Sequence, residues 1–507
     1  MTDKANDTKH VSDSLLNSSH VESNPVSSPG SHTSENDGVC TVIGNVFKVG
    51  FPNASSYFIE IWVDTFCILY LGNLPHAIYL AAFSMGLMWL NLFGYSELMG
   101  MASAMDTFIP QTLGQKQYAL CGHIYNRASV IMKIAAVPCW LCQYLAYPIL
   151  LLIGIKPRLA YHASMAAGYN FPMLFLVPQF EITRKFLYCH EVLLPQVVCQ
   201  IISMAAHPFW CYYFINYLEL GYIGAAMSKV VLYVTNLILI WLYIKFRHVC
   251  EQSFQSFSWE AFSSWGPFLK LAIPGAFMLA LEWITLEIAN LLMALLGEKE
   301  VAAMGVFYNI DQMIFVLGIG LGYGVGIFVG EAMGEGNKAK AIRYAKIGIL
   351  ASSSIFILIP FIFTCFSRQI GQIFTQDQNL RDLIAKNMWA DMLSCALDCL
   401  QTATQCILIC LAQQVYSVVV LLAVMYPFVL PSCYIFGVYL GYQIIGIKLV
   451  FAIGNFVLFL FYIIKVLVLD WDQLALEIKE RTEKETRRMD RRTTIYRRKT
   501  SMLKAKE

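Results

Sequence analysis

Between residues 51 and 469 the sequence is a succession of apolar runs, each about as long as a bilayer is thick. A crossing needs about 20 apolar residues. Hydrocarbon offers the backbone no hydrogen-bond partner, so each crossing must be a helix. The runs fall at 51–71, 77–103, 124–153, 159–178, 192–214, 221–245, 268–296, 301–329, 341–366, 385–410, 417–439 and 443–469. The fold expected is an all-α polytopic membrane protein of about twelve transmembrane helices. Charged residues make up only 14% of the chain, against about 25% in soluble domains.

The two ends are polar. Residues 1–50 are read as a disordered N-terminal tail: they are rich in Ser, Asn, Asp and Thr and lack the basic and apolar segments of a signal peptide. Residues 470–507 form a second tail, with nine Lys/Arg from Arg487 onward against two acids. Lys116, Arg184, Lys185, Lys245, Arg247, Lys338, Lys340, Arg343 and Lys346 are assigned to connections on the same side as that tail. The positive-inside rule then makes both termini cytoplasmic. Such a tail is expected to lie against an anionic leaflet. The membrane expected is a plasma or vacuolar-type one, and the chain is expected to be a monomer with no nucleic-acid partner.

The sequence repeats at an offset of 220 to 222 residues. Pro52 and Pro274 open corresponding runs; Leu220-Gly221-Tyr222 recurs as Leu440-Gly441-Tyr442, and Gln111-x-x-Gly114 as Glu331-x-x-Gly334. Glu60 follows Pro52 by eight residues, as Glu282 follows Pro274. The shared offset predicts two six-helix lobes related by a pseudo-two-fold, 51–246 and 268–469, joined by a linker at 247–267. Parallel repeats with a site between them are a transporter architecture.

Acids inside the runs carry the functional signal, because a carboxylate near the middle of a bilayer costs a few kcal/mol and is kept for a purpose. Glu282 lies in the middle of the seventh run, beside Trp283. A carboxylate next to an indole face suits an organic cation. Glu287 is about 140° further around the same helix and need not share its cavity. Glu60 and Asp64 share a helix face at i, i+4, where repulsion would favour a shared proton or a bound cation. Asp398 and Gln401 share a face in the tenth run, with Asp391 nearer its end and read as interfacial. Asp106 is read as fixing a loop or gate. Tyr308, Asn309 and Asp311 stand in the eighth run. The fifteen cysteines are scattered through apolar runs and are read as small hydrophobes. His207 is read as packed, and no metal ligand set, catalytic cluster or phosphate loop is recognised. The chain is therefore not expected to be an enzyme.

The stretch Asn91-x-x-Gly94-x-Ser96, Ser103-Ala104-x-Asp106-Thr107 and Gln111-x-x-Gly114 resembles the signature of the multidrug and toxin extrusion (MATE) family. Ala272-Ile273-Pro274 with Leu281-Glu282-Trp283 and Glu287 resembles the seventh span of its eukaryotic members. Gly330-Glu331-x-x-Gly334 resembles their following loop, and Val63-Asp64-Thr65 and Asp398-x-x-Gln401 resemble bacterial members. The resemblance implies a V-shaped pair of lobes exporting small amphiphilic or cationic organic substrates against inward H+ or Na+ flow, with no other cofactor. It further implies that Glu282, Asp64 and Asp398 couple ion to substrate, and that Asn91, Trp283 and Tyr308 line the cavity. Asn309 stands where the family usually has Glu, and Ile409-Cys410 where it has Arg-Gly. The alternative within the wider superfamily is a flippase for lipid or lipid-linked oligosaccharide. Such a cavity would need several Arg or Lys, and acids outnumber bases in the runs.

Overall fold

Every regular element among the described residues is helical. The computed structural model describes residues 38–504 apart from 255–256, 258 and 376. The first half comprises α1 (Val39–Gly72), α2 (Ile78–Gly114), α3 (Tyr118–Gln143, bending by 46° into Ala146–Leu152), α4 (Pro157–Tyr169, broken, then Met173–Cys189), α5 (Leu194–Cys211, running on through Tyr212–Tyr217) and α6 (Tyr222–Arg247). The second comprises α7 (Trp265–Ala294), α8 (Glu298–Gly334), α9 (Lys338–Cys365), α10 (Gln378–Cys410), α11 (Gln414–Tyr439) and α12 (Gln443–Val468). A last helix, α13, covers Trp471–Lys504. Nine of these are long and apolar enough to cross a bilayer unaided, and the bent α3 makes a tenth. Broken α4, with Glu181, Arg184 and Lys185 in one stretch, and α5 complete two sets of six.

The repeat is visible in the backbone. Both halves carry a π-helical segment near the end of their fifth helix, Tyr212–Tyr217 and Tyr434–Tyr439, at the offset that relates Pro52 to Pro274. Each is followed by a glycine at positive φ, Gly221 at 57° and Gly441 at 74°, a conformation that glycine adopts without a Cβ penalty.

Three sequence expectations change. Helix α1 starts at Val39, inside the stretch read as tail; Val42, Val46 and Val49 are buried, so the apolar periodicity begins before residue 51. Residues 1–37 of that tail lie outside the described residues. Arg184 and Lys185, read as loop charges, are inside α4 and at most 1% exposed. Of residues 470–507, read as a tail, Trp471–Lys504 form α13, which buries Trp471, Leu474, Ile478, Thr482 and Glu485; its side chains beyond Met489 lie outside the described residues. Glu485 pairs with Arg127 of α3 at 3.0 Å, Thr482 accepts from Gln115, and Lys338 at the start of α9 reaches Asp472 at 2.5 Å. Arg481 donates to Gln111 and lies over the Phe108 ring at 4.7 Å. Burial there lowers its guanidinium to about 10, so it remains charged at neutral pH. The strap thus touches both halves.

The two halves meet along glycines. A Cβ added to Gly100 of α2 would sit 2.3 Å from the Gly275 carbonyl of α7, and one on Gly275 would sit 2.4 Å from the Gly100 carbonyl. Here only glycine permits the approach. At the strap end Thr107 donates to the Ile409 carbonyl, Gln111 donates to the Cys410 carbonyl at 2.6 Å, and Gln414 donates to Thr107 at 2.9 Å. The Ile409-Cys410 pair thus enters the seam through backbone carbonyls, which any residue supplies. Along α1 and α7, Glu60, Asp64 and Glu282 come later than the seam contacts at Gly50, Ala54 and Gly275, away from the hydrogen-bonded end.

Because the Gly100 carbonyl and the Ser103 hydroxyl both stand 2.4 Å from the added Cβ, Gly275→Ala should destabilise the protein by about 1–3 kcal/mol, the usual cost of overpacking. Thermal unfolding of the purified protein in detergent checks this; an unchanged midpoint would mean that the halves part freely at Gly275.

Candidate functional site

Ionisable side chains in the helices form three groups. The first joins α1, α2 and α4. Arg184 contacts Glu60 at 3.0 Å, donates to Glu181, donates to Ser56 at 3.2 Å and lies 3.9 Å above the Tyr57 ring. Its neighbour Lys185 pairs with Asp106 at 2.6 Å, and Tyr188 donates to the same carboxylate. Lys185 also lies 4.4 Å over the ring of Tyr323, a residue of α8. Asp106 is fully buried and ties α2 to α4, in line with the fixing role read from sequence.

In the second, Lys229 of α6 donates to Asp64 of α1 at 2.6 Å. Glu60 and Asp64 do share a helix face, but each faces its own cation. The sequence expectation of two mutually repelling carboxylates is therefore replaced by two ion pairs. Arg184 escapes a sequence reading because its stretch is polar enough to pass for a loop, and Lys229 because one lysine in an apolar run reads as an interfacial anchor.

The third is in the second half, where Lys448 of α12 contacts Asp311 of α8 at 3.1 Å and Asp391 of α10 at 2.5 Å. Asp391, expected near the interface, is fully buried: α10 extends back to Gln378 and sinks it below the helix end. Lys229 and Lys448 take similar places, seven and six residues after the Gly-Tyr that opens the last helix of each half. That symmetry is present in the sequence, but the costlier acids overshadow it.

Glu282 is differently placed. It accepts a hydrogen bond from Gln405 of α10 at 2.7 Å, one turn from Gln401, which donates to Asp398 at 3.3 Å. Among the described residues no cation lies within ion-pair distance of Glu282, Asp398 or Glu287. Asp398 is electrostatically linked to Glu282, and Lys448 acts on Asp398 only from beyond contact. Both carboxylates thus hold neutral amide donors and have no cation in contact. Gln405 gives little signal in the sequence; only its spacing of seven from Asp398, which puts both on one helix face, could have marked it.

The remaining candidates are dispersed. Glu287 lies beside Asn290 and in electrostatic range of Tyr308, and Tyr308 also senses Asp64 across the divide between halves. Tyr308 is 48% exposed. Asn309 is exposed and donates to the Gly305 carbonyl of its own helix at 2.7 Å, which gives it no cavity partner. Asn91 opens a π-helical turn in α2, and Trp283 is half-buried beside Glu282.

A family model described as MatE matches the chain twice, at residues 52–213 and 274–435, in the same register as the sequence repeat. Multidrug and toxin extrusion protein 1 of Danio rerio is 26% identical over 348 residues, 69% of this chain and 59% of that protein. The protein of the same name from Oryctolagus cuniculus is 29% identical over 307 residues, 61% of this chain and 54% of the relative. The chain therefore spans between half and three-fifths of the length of these relatives. Among solved structures, the eukaryotic MATE transporter AtDTX14 superposes with a TM-score of 0.82 at 23% identity, covering 88% of this chain and 100% of that one. The Vibrio cholerae transporter VcmN superposes at 0.76 and 15% identity, over 86% and 99%. These likenesses establish the fold of two six-helix lobes.

The buried triad yields a test. Lys448→Met leaves Asp311 and Asp391 without their cation, and removal of one member of a buried ion pair costs about 3–5 kcal/mol. Lys448→Met should melt earlier in detergent, and adding Asp391→Asn should restore part of the loss. Equal melting of both variants and the wild type would mean that Asp391 is solvated.

Proposed function

The chain belongs to the MatE family, and on that footing we propose that it is a secondary antiporter exporting small cationic or amphiphilic organic molecules against an inward flow of H+ or Na+. The observation that carries this reading is the pairing of Glu282 and Asp398 with glutamine donors and no cation. An uncompensated carboxylate in low dielectric attracts a cation strongly, and one that can hold a coupling ion or an organic cation by turns supports exchange. Binding of either ligand then shifts the lobes between two states according to its differential affinity for them.

The ion pairs take another part in this reading. Arg184, Lys185, Lys229 and Lys448 each hold at least one carboxylate, so the buried cations are committed within the helices and not presented to a pyrophosphate. This argues against the flippase alternative. We place the strap end, with residues 107–117 and 331–340, at the cytoplasm, following the basic connections there. On that placement the seam is sealed inward, and Glu282 and Asp64 lie on its outward side. The lobes run from Val39 to Arg247 and from Trp265 to Val468, and the membrane is a plasma or vacuolar-type one. Trp283 contributes affinity through its indole face, Tyr308 stands between the two acidic groups, and Asn91 and Gln401 line the path.

The deciding experiment is counterflow of a labelled organic cation into proteoliposomes under imposed pH and sodium gradients separately. Uphill accumulation under one gradient and not the other identifies the coupling ion, and none under either overturns the reading. Glu282→Gln should abolish uphill transport while keeping a monodisperse protein. Wild-type uphill rates in that variant would remove the assignment.

Trp283→Ala should weaken binding of a cationic substrate by about 1–2 kcal/mol, the size of a desolvated cation–π contact, and leave a neutral amphiphile less affected. Equal losses for both would show that the indole only fills space.

A further inference from the structure

Away from the carboxylates, α1, α5 and α6 bring together four side chains that the transport reading does not use. His207 and Cys211 are i, i+4 on α5 and so share a face. Cys67 comes from α1, and Ser228 from α6. The Cys67 and Cys211 sulfurs are 4.0 Å apart; His207 Nε2 is 3.8 Å from the first and 3.4 Å from the second. Ser228 Oγ is 3.7 Å from Cys67 and 3.5 Å from Cys211. All four residues are fully buried.

A tetrahedral zinc ion, with metal–sulfur near 2.3 Å and metal–nitrogen near 2.0–2.1 Å, sets its ligand atoms roughly 3.5–3.8 Å apart. The four atoms here already stand at almost those separations. We propose that Cys67, His207 and Cys211, with the Ser228 hydroxyl as fourth donor, form a zinc-binding site within the first lobe. Ser228 donates its own proton to the Ala225 carbonyl at 2.8 Å, which leaves its lone pairs for the metal. His207 Nδ1 is buried without a partner, and Nε2 is 3.2 Å from the Val63 carbonyl. Ligation through Nε2 replaces that contact with the metal and moves the ring proton to Nδ1.

Charge selects the ion. Binding of Zn2+ releases two thiol protons to solvent and leaves two thiolates, neutral imidazole and neutral hydroxyl around the dication, with net charge zero. A neutral assembly is what an apolar interior tolerates. A monovalent soft cation on the same two thiolates would leave a net negative charge, and the adjacent Lys229 already holds Asp64. The Asp64 side chain is 37% exposed, and Cys67 lies one helical turn further along α1.

Nothing local in the chain marks this group, because Cys67 and His207 belong to helices far apart in sequence. The proposal does not depend on the transport reading, since its readouts are metal content and absorbance.

The full-length protein, purified in detergent with added zinc and dialysed, should retain a single zinc per chain. Replacement by Co2+ should give the thiolate-to-cobalt charge-transfer absorbance of a tetrahedral site, and zinc should displace it stoichiometrically. Cys67→Ser/Cys211→Ser should lose both the metal and the band, and Cys139→Ser/Cys142→Ser should keep them. His207→Gln, which leaves both thiols in place, serves as the second variant should the double one fail to fold, and should lose the tetrahedral band. Absence of retained zinc and of the band in the wild type overturns the proposal. So does metal retention in the Cys67/Cys211 variant, or a Cys67–Cys211 disulfide found by mass spectrometry of the unreduced protein.

Discussion

A charge inside a bilayer must be answered by another charge or by dense hydrogen bonding, and the arrangement of these helices follows from that requirement. Arg184, Lys185, Lys229 and Lys448 are too deep to reach water, so each fixes the helix that carries it against one bearing a carboxylate: α4 against α1 and α2, α6 against α1, α12 against α8 and α10. Removing water makes these pairs directional constraints, strong when intact and costly when broken. Apolar packing in lipid has no comparable preference for one neighbour over another. The pairs therefore specify which helices sit together, while small residues set how closely.

Against that background, Glu282 and Asp398 are the exception. The rule that pairs Glu60, Asp64, Asp106, Asp311 and Asp391 with cations leaves these two with amide hydrogen bonds and no cation in contact. The distinction between acids that hold helices and acids left without an ion pair is thus made by the basic partners, which the acids' own positions do not reveal.

The architecture is largely legible in the chain. Twelve apolar runs and an offset of 220 to 222 residues, seen from Pro52 to Pro274 and from Gly221 to Gly441, point to two sixfold lobes, and hydrogen-bond demand in lipid leaves no choice but helices. The unusual position of Glu282 is legible too, because an acid in the middle of a span has a cost visible in one dimension. The ion-pair network is not. Asp64 and Lys229 come from the first and sixth helices, and nothing local joins them. Lys448 and Arg184 mislead because a cation in or beside an apolar run has a cheap explanation, snorkelling to the interface, that the long helices overrule. The strap α13 hides for a related reason: its polar residues outnumber the few apolar ones that dock, and only the spacing of Trp471, Leu474 and Ile478 marks a buried stripe.

The glycine seam has a mechanical consequence. Where backbone meets backbone at Gly100 and Gly275, neither residue seats a side-chain knob in a hole, and hence neither has a rotamer that must turn before the surfaces slide or part. Friction along such a contact is low, and the latch resides in a few directional bonds at one end, Thr107 to Ile409 and Gln111 to Cys410. A joint of this kind behaves as a hinged smooth plane rather than a gear train: it can open by a rigid tilt and, on closing, return to one register without searching for it.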